Sequence, residues 1–321
     1  PPNNWLSIFG GSAWQWDGRR LQYYLHNFLT SQPDLNFHEP AVQEALLDVA
    51  RFWLARGVDG FRLDTINFYF HDKHLRDNPG LAHQERNADI APAVNPYNHQ
   101  MHLFDKNQPE NIEFLKKLRA VMEPYNAAAV GEVGDAQRGL EILGEYTTGD
   151  DRMQMCYAFE FLSGDGLTAN KVVETFAALT AAAPDGWACW AFSNHDVMRH
   201  ISRWSLSEHA AKAYATLLMC LRGSACIYQG EELGLPEADI AFEDLQDPYG
   251  TSGKIGCGAG SGHRFAGALP SRDCAETSVQ GAAGRRTARP RGFGRRAEFP
   301  ACGGGGDAVL RLQSGRWRGA C

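Results

Sequence analysis

The stretch Val58-Asp59-Gly60-Phe61-Arg62-Leu63-Asp64-Thr65 decides how this chain is read. It follows an amphipathic helical run and has the length and content of a short strand. Successive side chains of a strand face opposite sides, so Arg62 and Asp64 share one face while Phe61 and Leu63 share the other. A guanidinium beside a carboxylate favours the ionised acid. Taken alone, the pair is as much a structural ion pair as a catalytic one. The choice turns on whether further carboxylates arrive at equivalent strand ends.

Upstream, Glu39-Pro40 opens a helix in which Val42, Leu46, Val49 and Trp53 recur at helical spacing and which Gly57 ends. Residues 1–37 are rich in Trp, Asn and Gly without a clear period and read as a long loop region. In that region, packing under a loop is a better account of Trp5, Trp14 and Trp16 than sugar stacking. Downstream, residues 65–108 form a long excursion with room for a short helix. A helix then starts at Pro109-Glu110 with Ile112, Leu115, Leu118 and Met122 on one side, and Ala127–Val133 is a strand. A brief helix near 137–145, a strand over Met155–Leu162, a helix over 169–182 and a strand over Trp187–Phe192 follow. Helix 207–222 and strand Ala225–Tyr228 complete the series.

Five strands alternate with helical sequence, the pattern of a parallel sheet with crossover helices. Their polar residues gather at the C-terminal ends, where a (β/α)8 barrel builds its site. An open doubly wound sheet shares the alternation, but no G-x-G-x-x-G turn supports a nucleotide site. The fold class expected is therefore α/β: a partial (β/α)8 TIM barrel, about strands 4 to 8, with part of an inserted loop domain and an irregular C-terminal tail. The domains expected are 1–37 as the end of the loop domain, 38–250 as the C-terminal part of the catalytic barrel and 251–321 as the tail. Five strands do not close a barrel, so its front is expected to lie outside this sequence.

The net charge of -7 over 321 residues conceals a break. Residues 251–321 hold 12 basic against 4 acidic side chains, and 16 of their positions are Gly. This composition fits a GC-rich coding sequence read in a shifted frame. It lacks the aromatic interleaving of a nucleic-acid module, so no nucleic acid is expected. No apolar run is long enough to span a membrane, and no membrane association is expected. Compartment is left open, with the cytoplasm slightly favoured, and oligomeric state is unknown. Cys156, Cys189, Cys220 and Cys226 sit singly in apolar runs and read as buried hydrophobes. No Cys or His spacing suggests a metal, and no metal or cofactor is expected.

Three strand ends carry carboxylates: Asp64, Glu132 and Asp196. A retaining glycosidase needs one ionised carboxylate and one protonated carboxyl roughly 5–5.5 Å apart. Neighbouring strands lie about 4.7–4.9 Å apart, so adjacent strand ends can meet that need. Asp64 beside Arg62 suits the anion. Glu132, after the apolar run Ala127–Val130, suits the group that holds a proton. His195 and Asp196 are placed to hydrogen-bond sugar hydroxyls. Glu231 and Glu232 read as a charged loop, and Glu160 as a residue paired to a neighbour.

Gly60-Phe61-Arg62-Leu63-Asp64, Gly131-Glu132-Val133 and Phe192-Ser193-Asn194-His195-Asp196 resemble three signature regions of the α-amylase superfamily, glycoside hydrolase family 13. Gln32-Pro33-Asp34-Leu35-Asn36 resembles the marker of its α-glucosidase and oligo-1,6-glucosidase subfamily. The resemblance implies Asp64 as nucleophile, Glu132 as general acid/base and Asp196 as transition-state stabiliser. It implies substrate contacts from Arg62, His195 and Thr65. Related enzymes that favour α-1,6 bonds tend to have Val after the nucleophile, so Thr65 implies α-1,4-linked substrates, small α-glucosides or malto-oligosaccharides. The alternative is a non-catalytic homologue acting as a binding or assembly subunit. Against it stand the three retained carboxylates.

Overall fold

The computed structural model describes residues 1–83, 95–135, 137–164, 166–241, 244–246, 311–313 and 316–318. The chain divides into two compact units, Pro1–Ala268 and Leu269–Cys321. In the second, strands β8 (Arg311–Gln313) and β9 (Arg316–Arg318) pair antiparallel within a stretch the sequence reads as aperiodic. Most of the tail, including its composition break, lies outside the described residues.

The first unit opens on a hairpin, β1 (Trp14–Asp17) against β2 (Gln22–Leu25). The sequence reading takes this region as loop, because its aromatic residues fall on both faces and mask the period of two. Trp5 is fully buried and stacks on Trp14 at 5.9 Å, so the packing role expected for these two holds. Trp16 is instead exposed, edge-to-face with Tyr23 across the hairpin.

Helix α1 (Pro40–Leu54) starts at Pro40 after Glu39, whose side chain accepts from Ala41 N–H. It is followed by Gly57 at φ +90°, a left-handed position that glycine adopts without steric cost. Its buried residues are Leu47, Ala50 and Leu54, whereas Val49 and Trp53 are 54% and 48% exposed. The stripe read from the sequence is thus rotated by about a residue. The helix carries apolar residues nearly all round, so spacing alone cannot choose its inner face.

Strand β3 (Gly60–Leu63), helix α2 (Glu110–Met122), strand β4 (Ala128–Val133), helix α3 (Gly139–Thr147) and strand β5 (Met155–Ala158) follow in order. Next come α4 (Ala169–Ala182), β6 (Cys189–Trp190), the short α5 (His200–Arg203), α6 (Glu208–Cys220) and β7 (Ser224–Ala225). Thr168 and Ser207 cap α4 and α6 by accepting from Lys171 and Ala210 N–H, which satisfies donors the helices leave open. Strands β3, β4 and β5 form one parallel sheet and β6 and β7 another. A parallel bridge between Cys156 and Ala188 joins them, so the five strands lie side by side in chain order.

The core beneath this surface includes Leu115, Met122, Val133, Leu143, Cys156, Trp190 and Phe192. Fully burying a side chain of this size stabilises by about 1.5–3 kcal/mol relative to exposure. Cys220 and Cys226 are exposed, contrary to the reading of all four cysteines as buried. Cys220 ends α6 on its outer side, and Cys226 lies just past the short β7. No helix among the described residues is long and apolar enough to cross a membrane.

Gly60 lets β3 approach β4, and Gly131 makes room for the turn after β3. A Cβ at Gly60 would collide with the Ala128 carbonyl oxygen, and one at Gly131 would strike Ile66. Gly60→Ala must push β3 from β4 or distort both, and overpacking of this kind costs about 1–3 kcal/mol. The expected outcome is a lower urea midpoint at unchanged slope.

Candidate active site

The register of β3, β4 and β5 determines what meets at their C-terminal ends. Leu63 pairs with Gly131, so Asp64 and Glu132 follow side by side, and Glu132 pairs with Tyr157 on β5. Glu132 is buried, its side chain 3% exposed, while the Asp64 side chain is 70% exposed. Arg62 lies between them. One guanidinium nitrogen pairs with Asp64, and the other sits 2.9 Å from Glu132 Oε2 and 2.7 Å from the Tyr157 hydroxyl. Tyr157 in turn donates to Glu132 Oε1 at 2.7 Å, and Thr65 N–H donates to Oε2 at 3.0 Å.

Burial pushes the Glu132 carboxyl above its ordinary pKa. A hydrogen bond shared with Asp64 pushes the same way, while Tyr157, Arg62 and Thr65 N–H pull against both. Removing a carboxylate from water disfavours its charge more than these partners restore it. The two acids therefore differ by environment: Asp64 meets solvent and a cation, and Glu132 is enclosed. They stand on adjacent strand ends, with the Arg62 guanidinium bonded to both. The exposed Asp64 side chain is the one free to swing.

Thr65 has φ 40° and ψ 50°. A β-branched residue in the left-handed region is strained. This conformation turns the chain sharply after Asp64 and aims the Thr65 N–H at Glu132.

Asp196 and His195 form a second group beyond β6. Asn194 Nδ2 donates to Asp196 Oδ2 at 3.0 Å, and His195 Nε2 lies 3.4 Å from Asp196 Oδ1. Both side chains are about half exposed or more. The structure thus joins Arg62, Asp64, Thr65 and Glu132 in one bonded cluster and places His195 and Asp196 past the end of β6, separated from β4 by β5.

Two residues escape the sequence reading. Tyr157 is the partner of Glu132 across the strands, and only the register reveals it. Arg203, on α5, donates to the carbonyl oxygens of Leu162 at 2.5 Å, Phe161 at 3.1 Å and Phe192 at 2.7 Å. It ties the exit of β5 to the segment that carries Asp196. Glu231, read as part of a charged loop, is buried instead: its Oε1 lies 3.5 Å from His200 Nδ1 and its Oε2 accepts from Tyr228 N–H at 3.0 Å. Glu160 pairs with Lys171 at 3.1 Å, as expected of a neighbour-paired residue.

A cavity of about 450 Å³ opens beside β3, lined by Phe37, Leu46, Phe61, Phe114 and other apolar groups, with Asp64 and Thr65 on its wall. Glu132 and Asp196 lie outside it.

A parallel sheet with crossover helices and a cluster of acids at the strands' C-terminal ends is the arrangement of a barrel glycosidase. A family profile described as "Alpha amylase, catalytic domain" matches residues 1–274. The chain belongs to the α-amylase family, glycoside hydrolase family 13, and its fold is that of the family's TIM-barrel catalytic domain. It is 68% identical over 268 residues to a probable alpha-glucosidase of Rhizobium meliloti (strain 1021), covering 80% of this chain and 49% of that protein. It is 34% identical over 263 residues to an amino acid transporter heavy chain of Homo sapiens, covering 78% of this chain and 36% of that one. The crystal structure of an alpha-glucosyl transfer enzyme, XgtA, superposes with a TM-score of 0.75 at 53% identity, over 78% of this chain and 47% of that one. The chain spans about half the length of the curated relatives it matches.

The enclosed state of Glu132 predicts a stability effect. Its folded pKa lies above the unfolded value, so its favourable contribution is complete below about pH 4 and is lost as pH rises through the folded value. Glu132→Gln keeps the shape, with its Oε1 placed to accept from Thr65 and Arg62 and its Nε2 to donate to Tyr157. It should raise the urea midpoint relative to the parent at pH 7, a gain that disappears near pH 4.

Proposed function

We propose that this chain supplies the catalytic acids of a retaining α-glucosidase, and that residues 38–250 are the C-terminal part of its barrel, following the end of a loop domain over 1–37. The observation that carries the reading is the pairing of an exposed, arginine-bound Asp64 with an enclosed Glu132 on adjacent strand ends. Asp64 attacks the anomeric carbon while Glu132 gives its proton to the departing glycosidic oxygen. Asp64 thereby becomes a glucosyl ester, and Glu132, now ionised, takes a proton from the water that cleaves it. Attack by a sugar hydroxyl in place of water gives glucosyl transfer. Asp196 and His195 hold sugar hydroxyls as positive charge develops on the ring, and Arg62 pairs with Asp64 and fixes its direction.

Tyr157 and Arg62 both contact the Glu132 carboxyl and stabilise its ionised form, the form required for the second step.

Small α-1,4-glucosides and short malto-oligosaccharides are the proposed substrates. Identity to an alpha-glucosidase and likeness to an alpha-glucosyl transfer enzyme support this class. The second reading, a binding or assembly subunit, draws on the similarity to a transporter heavy chain. Retention of all three carboxylates favours the enzyme.

The purified protein is expected to release p-nitrophenol from p-nitrophenyl α-D-glucoside, with the α-anomer of glucose formed first by NMR. Asp64→Ala should lower kcat by about six orders of magnitude, the scale seen when a covalent nucleophile is removed. Unchanged turnover in that variant would reject the assignment. Thr65→Val is expected to move the kcat/KM ratio for maltose over isomaltose towards isomaltose by about tenfold, the scale of a single pocket contact.

A further inference from the structure

The ladder between β3 and β4 stops at Leu63 and Gly131, one residue short of both acids. Something beyond the ladder must hold Asp64 and Glu132 at a set separation. Arg62 and the Thr65 N–H reach Glu132 only through its own carboxylate; the next connection that grips main chain on both sides is Asn67, fully buried in the 3-10 turn Ile66–Phe68 that follows Thr65. Its Oδ1 accepts Gly134 N–H at 3.0 Å, and its Nδ2 reaches the Gly134 carbonyl oxygen at 3.2 Å. Gly134 stands two residues past Glu132, as Asn67 stands three past Asp64.

The contact is braced from behind. Asn67 Nδ2 also lies 2.8 Å from Asn107 Oδ1, and Asn107 N–H donates to the Asn67 carbonyl oxygen at 2.7 Å. Asn107 Nδ2 donates to Asp135 Oδ2 at 2.8 Å. The buried Lys106 ammonium lies 3.1 Å from the Gly134 carbonyl oxygen and 3.3 Å from Asp135 Oδ2. A carboxamide is the side chain that offers a donor and an acceptor to one residue's backbone at the same time. Asp lacks the donor when ionised, and an apolar residue lacks both.

We infer that Asn67 is a positioning residue that sets the distance between Asp64 and Glu132 by locking the exits of β3 and β4 together through Gly134. The inference rests on the retaining reading above. Below the two acids the strand ladder fixes the spacing; above them the Asn67–Gly134 pair does. Misplacement of reacting groups by about 1 Å costs roughly 100-fold in rate.

The test compares substrates that differ in their need for the acid. Asn67→Ala is expected to lower kcat about 100-fold on maltose, whose leaving group must be protonated, with KM changed less than about threefold. On α-glucosyl fluoride, which leaves with little protonation, the loss should shrink to about tenfold or less. In the Asn67→Ala/Glu132→Gln double variant the losses on maltose should fail to multiply, because one change acts through the other. Asn67→Asp keeps the volume and the Gly134 N–H contact and should show the same dependence on leaving group should the alanine variant not fold. Equal losses on both substrates, or losses that multiply in the double variant, would overturn the inference. Should Glu132→Gln itself show no dependence on leaving group, the assignment of Glu132 fails instead, whatever Asn67 does.

Discussion

The structure around the site depends on keeping one carboxyl, that of Glu132, out of water. A buried carboxylate is costly unless its lone pairs are met. Here a tyrosine hydroxyl, a guanidinium and a backbone N–H meet them, each from a different place in the chain. These demands account for features that look unrelated in the sequence. Tyr157 must stand opposite Glu132 in register, Arg62 must share the face of Asp64, and Thr65 must accept a strained backbone to turn its N–H inward. Gly131, immediately before Glu132, must lack a side chain so that Ile66 can close the space beneath.

The parallel order of the strands converts this local demand into a site. Hairpin-linked strands alternate in direction and would send successive C-terminal ends to opposite edges. Crossover helices return every strand in the same direction, so Asp64, Glu132 and Asp196 all emerge at one edge. Helices α2, α3 and α4 therefore shape this edge by topology, although the acids themselves lie at strand ends.

Much of this was legible because strand alternation has a period of two. Arg62 and Asp64 two residues apart, and carboxylates ending successive apolar runs, follow from residue order alone, as does the alternation of strand and helix. What was hidden depends on partners distant in sequence. Tyr157 matters through register, Arg203 through a four-residue helix with no periodicity to read, and Glu231 through burial against His200. Helix α1 shows a different limit: Val49 and Trp53 satisfy the period as well as Leu47, Ala50 and Leu54 do, and only packing separates them. The β1–β2 hairpin was obscured in a related way, since aromatic residues on both faces erase alternation.

The grip of Arg203 has a consequence for how such a scaffold can diverge. Its guanidinium holds carbonyl oxygens of Phe161, Leu162 and Phe192, groups that every amino acid carries. A tie addressed to the main chain places no chemical demand on the side chains it restrains. What constrains those side chains is the core instead, where Phe161, Leu162 and Phe192 are all buried. One arginine written into a short helix therefore pins the main chain beside Asp196 by means that do not depend on which side chains fill the core beneath it.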